Sequence, residues 1–355
     1  MLRWTQRNSN ITILGFFLGC NFASPSLALD GHFSRYSSGS AMSRMMSGSY
    51  SLSDLEFRLF EGEISQSQQG IATEEKRLQS SVYQFFAVPL GDTFGMHFTM
   101  ELDHEISARE ESGGGDISRT DWTQMDADPR ALFHVKTPTQ VFLFAGMGCK
   151  YLPKYAVEYE VAGITGATTF GEAKIIYPVV GLAKKTATWQ GSIYGILGRS
   201  SARSFETLAN LSDQTPITGT EPVYQATTYG LTGSTNIGVT LLNMDISSVQ
   251  AGEGGPQSDD GTTVNEDFNQ MAFQLTYGIL ESGIAYRSLS YSSNAYMSLD
   301  RIAQWRLHGA VKFGSENQFL RAGIIASMGR DRQSLTEFNA SYEFMTYGVF
   351  VSVGL

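Results

Sequence analysis

The stretch Ile302–Phe313, I-A-Q-W-R-L-H-G-A-V-K-F, alternates apolar and polar residues over most of its length. In a β-strand, successive side chains point to opposite faces. Ala303, Trp305, Leu307, Gly309, Val311 and Phe313 then share one face. Gln304, Arg306, His308, Ala310 and Lys312 share the other. Such a strand suits a sheet whose two sides meet different surroundings.

The pattern recurs. Phe94, Met96, Phe98, Met100 and Leu102 oppose Thr93, His97, Thr99, Glu101 and Asp103. Met271, Phe273, Leu275, Tyr277 and Ile279 oppose Gln270, Gln274 and Thr276. Leu320, Ala322, Ile324, Ala326 and Met328 oppose Arg321, and Tyr347, Val349, Val351, Val353 and Leu355 alternate with Gly348, Phe350, Ser352 and Gly354. No long segment of helical period occurs. Tight turns are expected at Leu90-Gly91-Asp92, Thr137-Pro138-Thr139, Gly233-Ser234, Glu281-Ser282-Gly283 and Gly314-Ser315-Glu316-Asn317. Longer polar loops are expected over Arg109–Asp128, Arg199–Glu221 and Val249–Glu266.

The N-terminus reads as an export signal: Arg3 and Arg7 supply positive charge, Ile11–Ala23 is largely apolar, and Ser26-Leu27-Ala28 offers a small-residue cleavage point after Ala28. Leu18-Gly19-Cys20 resembles the end of a bacterial lipoprotein box, although Phe17 departs from it. If Cys20 leaves with the signal, Cys149 has no partner for a disulfide. Net charge is −10, and removal of the two signal arginines takes it to −12. That excludes a general nucleic-acid binder, which needs a basic face. Mean hydropathy is only −0.14 and no run of about 18 apolar residues occurs. A barrel hides its membrane signal in this way, because half of each strand faces inward.

The organisation expected is a signal over 1–28, a Ser/Gly/Met-rich tail or plug over 29–49 (Met42, Met45, Met46), and an all-β, antiparallel transmembrane β-barrel over 50–355. Counting hairpins predicts about fourteen strands, with twelve and sixteen as the neighbouring even numbers. A soluble β-sandwich or propeller also alternates. Aromatics near several expected strand ends (Trp189, Tyr277, Tyr291, Trp305, Tyr347), the richly apolar faces and the alternating last strand favour the barrel. From about Tyr50 to Leu355 the chain resembles the broad class of Gram-negative outer-membrane β-barrels. That class commonly ends in an aromatic residue read by the barrel-assembly machinery, whereas this chain ends in Val353-Gly354-Leu355. The resemblance implies an outer-membrane location, with membrane lipid, lipopolysaccharide and the assembly machinery as partners.

Motifs for chemistry are absent. His104-Glu105 is followed by Ala108 where a zinc-protease helix needs its second histidine. Gly91-Asp92-Thr93-Phe94-Gly95 has threonine at the nucleophile position, and no phosphate-binding loop occurs. Glu253–Glu266 lacks calcium-loop spacing. No catalytic, metal or cofactor site is therefore expected. The polar strand faces are more telling, because Arg or Lys facing lipid near the midplane costs about 2–4 kcal/mol. His97, Glu101, Asp103, Arg287, Gln304, Arg306, His308, Lys312 and Arg321 are placed in the lumen on that ground. There they either line a wet pore or pair with one another as struts. The leading expectation is a passive channel for small solutes. The alternatives are a scaffold or adhesin barrel, an uptake channel for hydrophobic compounds of the fatty-acid transporter type, and an outer-membrane enzyme.

Overall fold

The structure, a computed structural model, describes residues 53–68, 71–113, 116–161, 163–209, 216–225, 227–250, 264–293, 298–314, 318–335 and 338–354. The expected signal and the 29–49 segment lie outside the described residues, as does 253–263 of the acidic Glu253–Glu266 loop.

The chain runs up and down through β1 (Ser53–Gln68), β2 (Ile71–Pro89), β3 (Phe94–Gly113), β4 (Asp116–Lys136), β5 (Val141–Leu152) and β6 (Tyr155–Val161). There follow β7 (Ile164–Phe170), β8 (Ala173–Lys185), β9 (Trp189–Ile196), β10 (Arg199–Ala209), β11 (Ile217–Gln225) and β12 (Thr227–Ile237). The last six are β13 (Thr240–Gln250), β14 (Val264–Tyr277), β15 (Leu280–Ser293), β16 (Ser298–Gly314), β17 (Phe319–Leu335) and β18 (Phe338–Gly354). Every pairing is antiparallel, and β18 returns to β1 in register from Asp54↔Gly354 to Gln68↔Ala340. The segments β5/β6, β7/β8, β9/β10 and β11/β12 are each one stave interrupted midway, so the closed wall has fourteen staves. Closure leaves no sheet edge to satisfy, which is what a membrane-spanning sheet requires.

Alternation assigns the two faces. On β16, Trp305, Leu307 and Phe313 are exposed, while Gln304, His308 and Lys312 are buried. Outward rings mark both ends of the apolar band, with Phe98, Phe133 and Phe273 between them. Trp189, Tyr277 and Phe313 lie near the short turns, and Trp305 packs on Tyr286 with ring centroids 4.7 Å apart. Phe313 and Trp305 are eight positions apart on a tilted strand, roughly 20 Å along the barrel axis, close to the apolar band of such barrels. Beyond Trp305, outward positions become charged: Glu61, Glu63, Glu74 and Lys76 are exposed, and Arg119 meets Glu110 at 3.3 Å.

Some sequence expectations need correction. Gly233-Ser234 and Glu281-Ser282-Gly283 are interior to β12 and β15, and the turns are Gly238-Val239 and Gly278-Ile279. Each has glycine at positive φ (62° and 58°) in the first turn position, as a type II′ hairpin favours, and an apolar second residue that disguises it. Arg109–Asp128 and most of Arg199–Glu221 are paired strand rather than loop. Their ladders continue past the apolar band, where both faces are polar and alternation vanishes.

Inside, aromatic rings lie over glycines of the neighbouring strand. Phe60 covers Gly348, where an added Cβ would stand 2.5 Å from Leu59 O and 3.0 Å from Phe60 Cε1. Phe350 covers Gly323 in the same manner. The interruptions cluster at one side. Pro153 separates β5 from β6, and Pro178 and Pro222 interrupt the donor rows of β8 and β11. Between the rungs Val179↔Ile196 and Phe170↔Phe205, no ladder joins β8 to β10. Single bonds from Leu197 N to Pro178 O (3.0 Å) and Gly171 N to Ser204 O (2.8 Å) mark the ends of this seam.

Candidate functional site

The inward faces divide the lumen into two walls. One wall, on β14–β18 and β1–β3, is charged. Arg321 on β17 reaches across Ala310 to Glu281 on β15 and across Ser352 to Glu56 on β1, the second contact at 3.2 Å. The small residues between them give the long side chains room. Arg58 holds Glu56 at 2.6 Å, and Arg77 pairs with Glu75. The Arg321 guanidinium also lies 4.3 Å over the Phe350 ring. Lys312 stands opposite Arg321 with its ammonium 4.9 Å over Phe319.

The other residues placed in the lumen from sequence are distributed along this wall. Arg287 donates to Gln270 at 3.0 and 3.3 Å and stands in register with Gln304. Arg306 donates to Ser327 Oγ at 2.8 Å, and the His308 ring lies over Gly283. Glu101 and Asp103 face Asp128 and Asp126 across the β3–β4 ladder, with Ser81 donating to Asp103. Cations that sequence reasoning did not single out answer these acids. Arg130 meets Asp128 at 2.6 Å and Lys150 meets Asp126 at 3.9 Å. His97 does not join this group; it sits lower on β3 beside Phe85 and opposite Leu132.

The second wall carries a large apolar patch on its inner face, on β4, β5, β8 and β9, and is apolar on the outside as well. Leu132, Phe142, Phe144, Tyr177, Val179 and Ile196 form one buried cluster, each under a tenth exposed. Above it Leu152, Ala173, Ile175 and Val223 form another, which packs behind the unladdered seam. Polar groups bracket this surface. Below the seam, Tyr177 donates to Asp128 and accepts from Arg130 Nε at 2.8 Å. Above it, Arg203 lies 4.6 Å over Phe170 and donates to Tyr155 Oη at 2.9 Å. The sequence did carry a signal for this wall. Ile175–Leu182 (I-I-Y-P-V-V-G-L) has no polar alternate positions besides the Tyr177 hydroxyl. A barrel strand apolar at both parities has an apolar inner face.

No family's sequence pattern matches the chain, and no curated protein matches it in sequence. Solved structures do match. A FadL homologue of Pseudomonas aeruginosa is 8% identical, with 85% of this chain and 90% of that chain covered at a TM-score of 0.59. The toluene transporter TodX of Pseudomonas putida is 11% identical, with 90% of this chain and 95% of that chain covered at a TM-score of 0.56. At such identities the likeness carries the fold and nothing finer. A closed wall of fourteen antiparallel staves, apolar on its outer face and charged along one side of its inner face, is the fold of the outer-membrane β-barrels, and this chain has that fold.

Proposed function

We propose that the barrel is a passive uptake channel for hydrophobic compounds across the outer membrane. The apolar inner wall carries this reading. A water-filled pore gains nothing from lining β5, β8 and β9 with Phe142, Phe144, Val179 and Ile196, whereas a solute with little polar surface needs such a path. The opposite wall supports it too, because its charges are tied to one another, within β1 and across the intervening strands β16 and β18. The seam between β8 and β10 borders the apolar wall and is held there by side chains such as Ile175 and Val223. It offers an apolar solute a side passage toward the bilayer.

The experiment is uptake by proteoliposomes holding the folded barrel, with toluene as the hydrophobic probe and a disaccharide as the polar one, alongside single-channel recording. Toluene entry above protein-free vesicles, with little steady conductance, is the expected result. Large steady conductance with disaccharide entry and no gain for toluene would establish a hydrophilic small-solute channel instead.

A further inference from the structure

On the side of the short turns the apolar inner wall ends at two histidines. His97 on β3 is fully buried, and neither ring nitrogen has a hydrogen-bond partner among the described residues. His134 on β4 is half-buried, and its Nδ1 likewise has none. His97 is in register with Leu132 and His134 with Gly95, so the two rings are diagonal neighbours on the inner face of one strand pair. Gly95 makes room for the second ring: a Cβ there would stand 2.8 Å from His134 Nε2. The collar around them is apolar save for Lys136, whose ammonium stands 5.9 Å from the centroid of the Phe142 ring. His97 lies 5.8 Å from Phe85 and His134 lies 5.8 Å from Phe142, measured between ring centroids. Leu132 and Ala87 fill the register positions on either side of His97.

Buried polar atoms are nearly always bonded, and one left unbonded in a native structure calls for an explanation. A neutral imidazole offers one donor and one acceptor, which matches a hydroxyl and half-matches a carbonyl. We infer that His97 and His134 form the polar end of a ligand subsite. It takes the single hydroxyl or carbonyl group of an otherwise apolar, uncharged solute, whose body rests against Phe85, Leu132 and Phe142. This rests on the uptake reading above and names the solute class for it. A site built to bond a hydroxyl also discriminates against the analogue that lacks one, since its own polar atoms then stay unmatched.

The test uses p-cresol and p-xylene, which share a ring and differ by hydroxyl against methyl. Calorimetric titration of the purified, folded barrel should show p-cresol bound about tenfold tighter, the scale of one net hydrogen bond. The double variant His97→Leu/His134→Leu should bind both at the p-xylene level, and His97→Gln should keep part of the preference. If the leucine variants do not fold, Gly95→Ala, which displaces only the His134 ring, should reduce the preference on its own. The inference falls if the native barrel binds neither compound, binds both equally, or keeps its preference in the double variant. Proteoliposome uptake run in parallel separates the two claims. Preference without uptake keeps the subsite and removes the uptake reading, and uptake without preference does the reverse.

Discussion

Replacing Arg321 by methionine decides whether the charged wall is a set of buried struts or a wetted surface. The side chains of Arg321, Glu56 and Glu281 are 6%, 4% and 3% exposed, so the guanidinium compensates two carboxylates that water scarcely reaches. Breaking a buried pair by removing one partner costs about 3–5 kcal/mol, because the other charge stays buried. Two features place the expected loss at the lower end. Glu56 keeps Arg58 at 2.6 Å, and Lys312, opposite position 321, can leave the Phe319 ring to approach the vacated space. About 3 kcal/mol is therefore expected, roughly a hundredfold in the unfolding equilibrium. Urea unfolding in lipid vesicles, followed by tryptophan fluorescence, measures it. The double variant Arg321→Met/Glu281→Gln should regain part of the loss, giving a coupling of about 2 kcal/mol. Were these groups bathed in lumen water, the loss would stay below about 1 kcal/mol, as for exposed ion pairs. A loss that small, with no measurable coupling, refutes the strut assignment.

Four further outcomes follow from the same geometry. Gly348→Val drives a side chain into Phe60 and the Leu59 carbonyl, and should cost about 1–3 kcal/mol by the same unfolding assay. Leu307→Arg puts a charge on the lipid face between the aromatic rows and should cost about 2 kcal/mol, with refolding yield falling in thicker bilayers. Val179→Asp charges the apolar inner wall, and should lower toluene uptake per folded barrel while heat-modifiable migration on gels persists. Ladder alternation aims the amides of Lys174 and Ile176 into the unladdered seam, so they should exchange with deuterium well ahead of the Val349 and Val351 amides in the closing strands.

Much of the wall was legible from local pattern. On β16 the parity of Trp305, Leu307 and Phe313 against Arg306, His308 and Lys312 is enough to tell lipid face from inner face, since a charge in lipid is too costly to tolerate. The stave number was legible from the hairpin rhythm, although two turns were misplaced. Gly278-Ile279 reads as apolar strand, and Glu281-Ser282-Gly283 carries the usual turn residues without being a turn. The extended hairpins at Arg109–Asp128 were not legible, because a strand standing in water on both faces has no period to read.

The sequence by itself determined the alternation, the fold class and which side chains avoid lipid, because these depend on a residue's own polarity and on a two-residue period. Which charges meet was decided by the tertiary structure alone. Arg321 and Glu56 are 265 positions apart and come together only when β18 closes onto β1 in one register. The histidine pair has the same origin: a one-residue slip between β3 and β4 would part His134 from Gly95 and turn one of the two rings to the lipid. Register and closure are properties of strand pairs, and no single strand carries them.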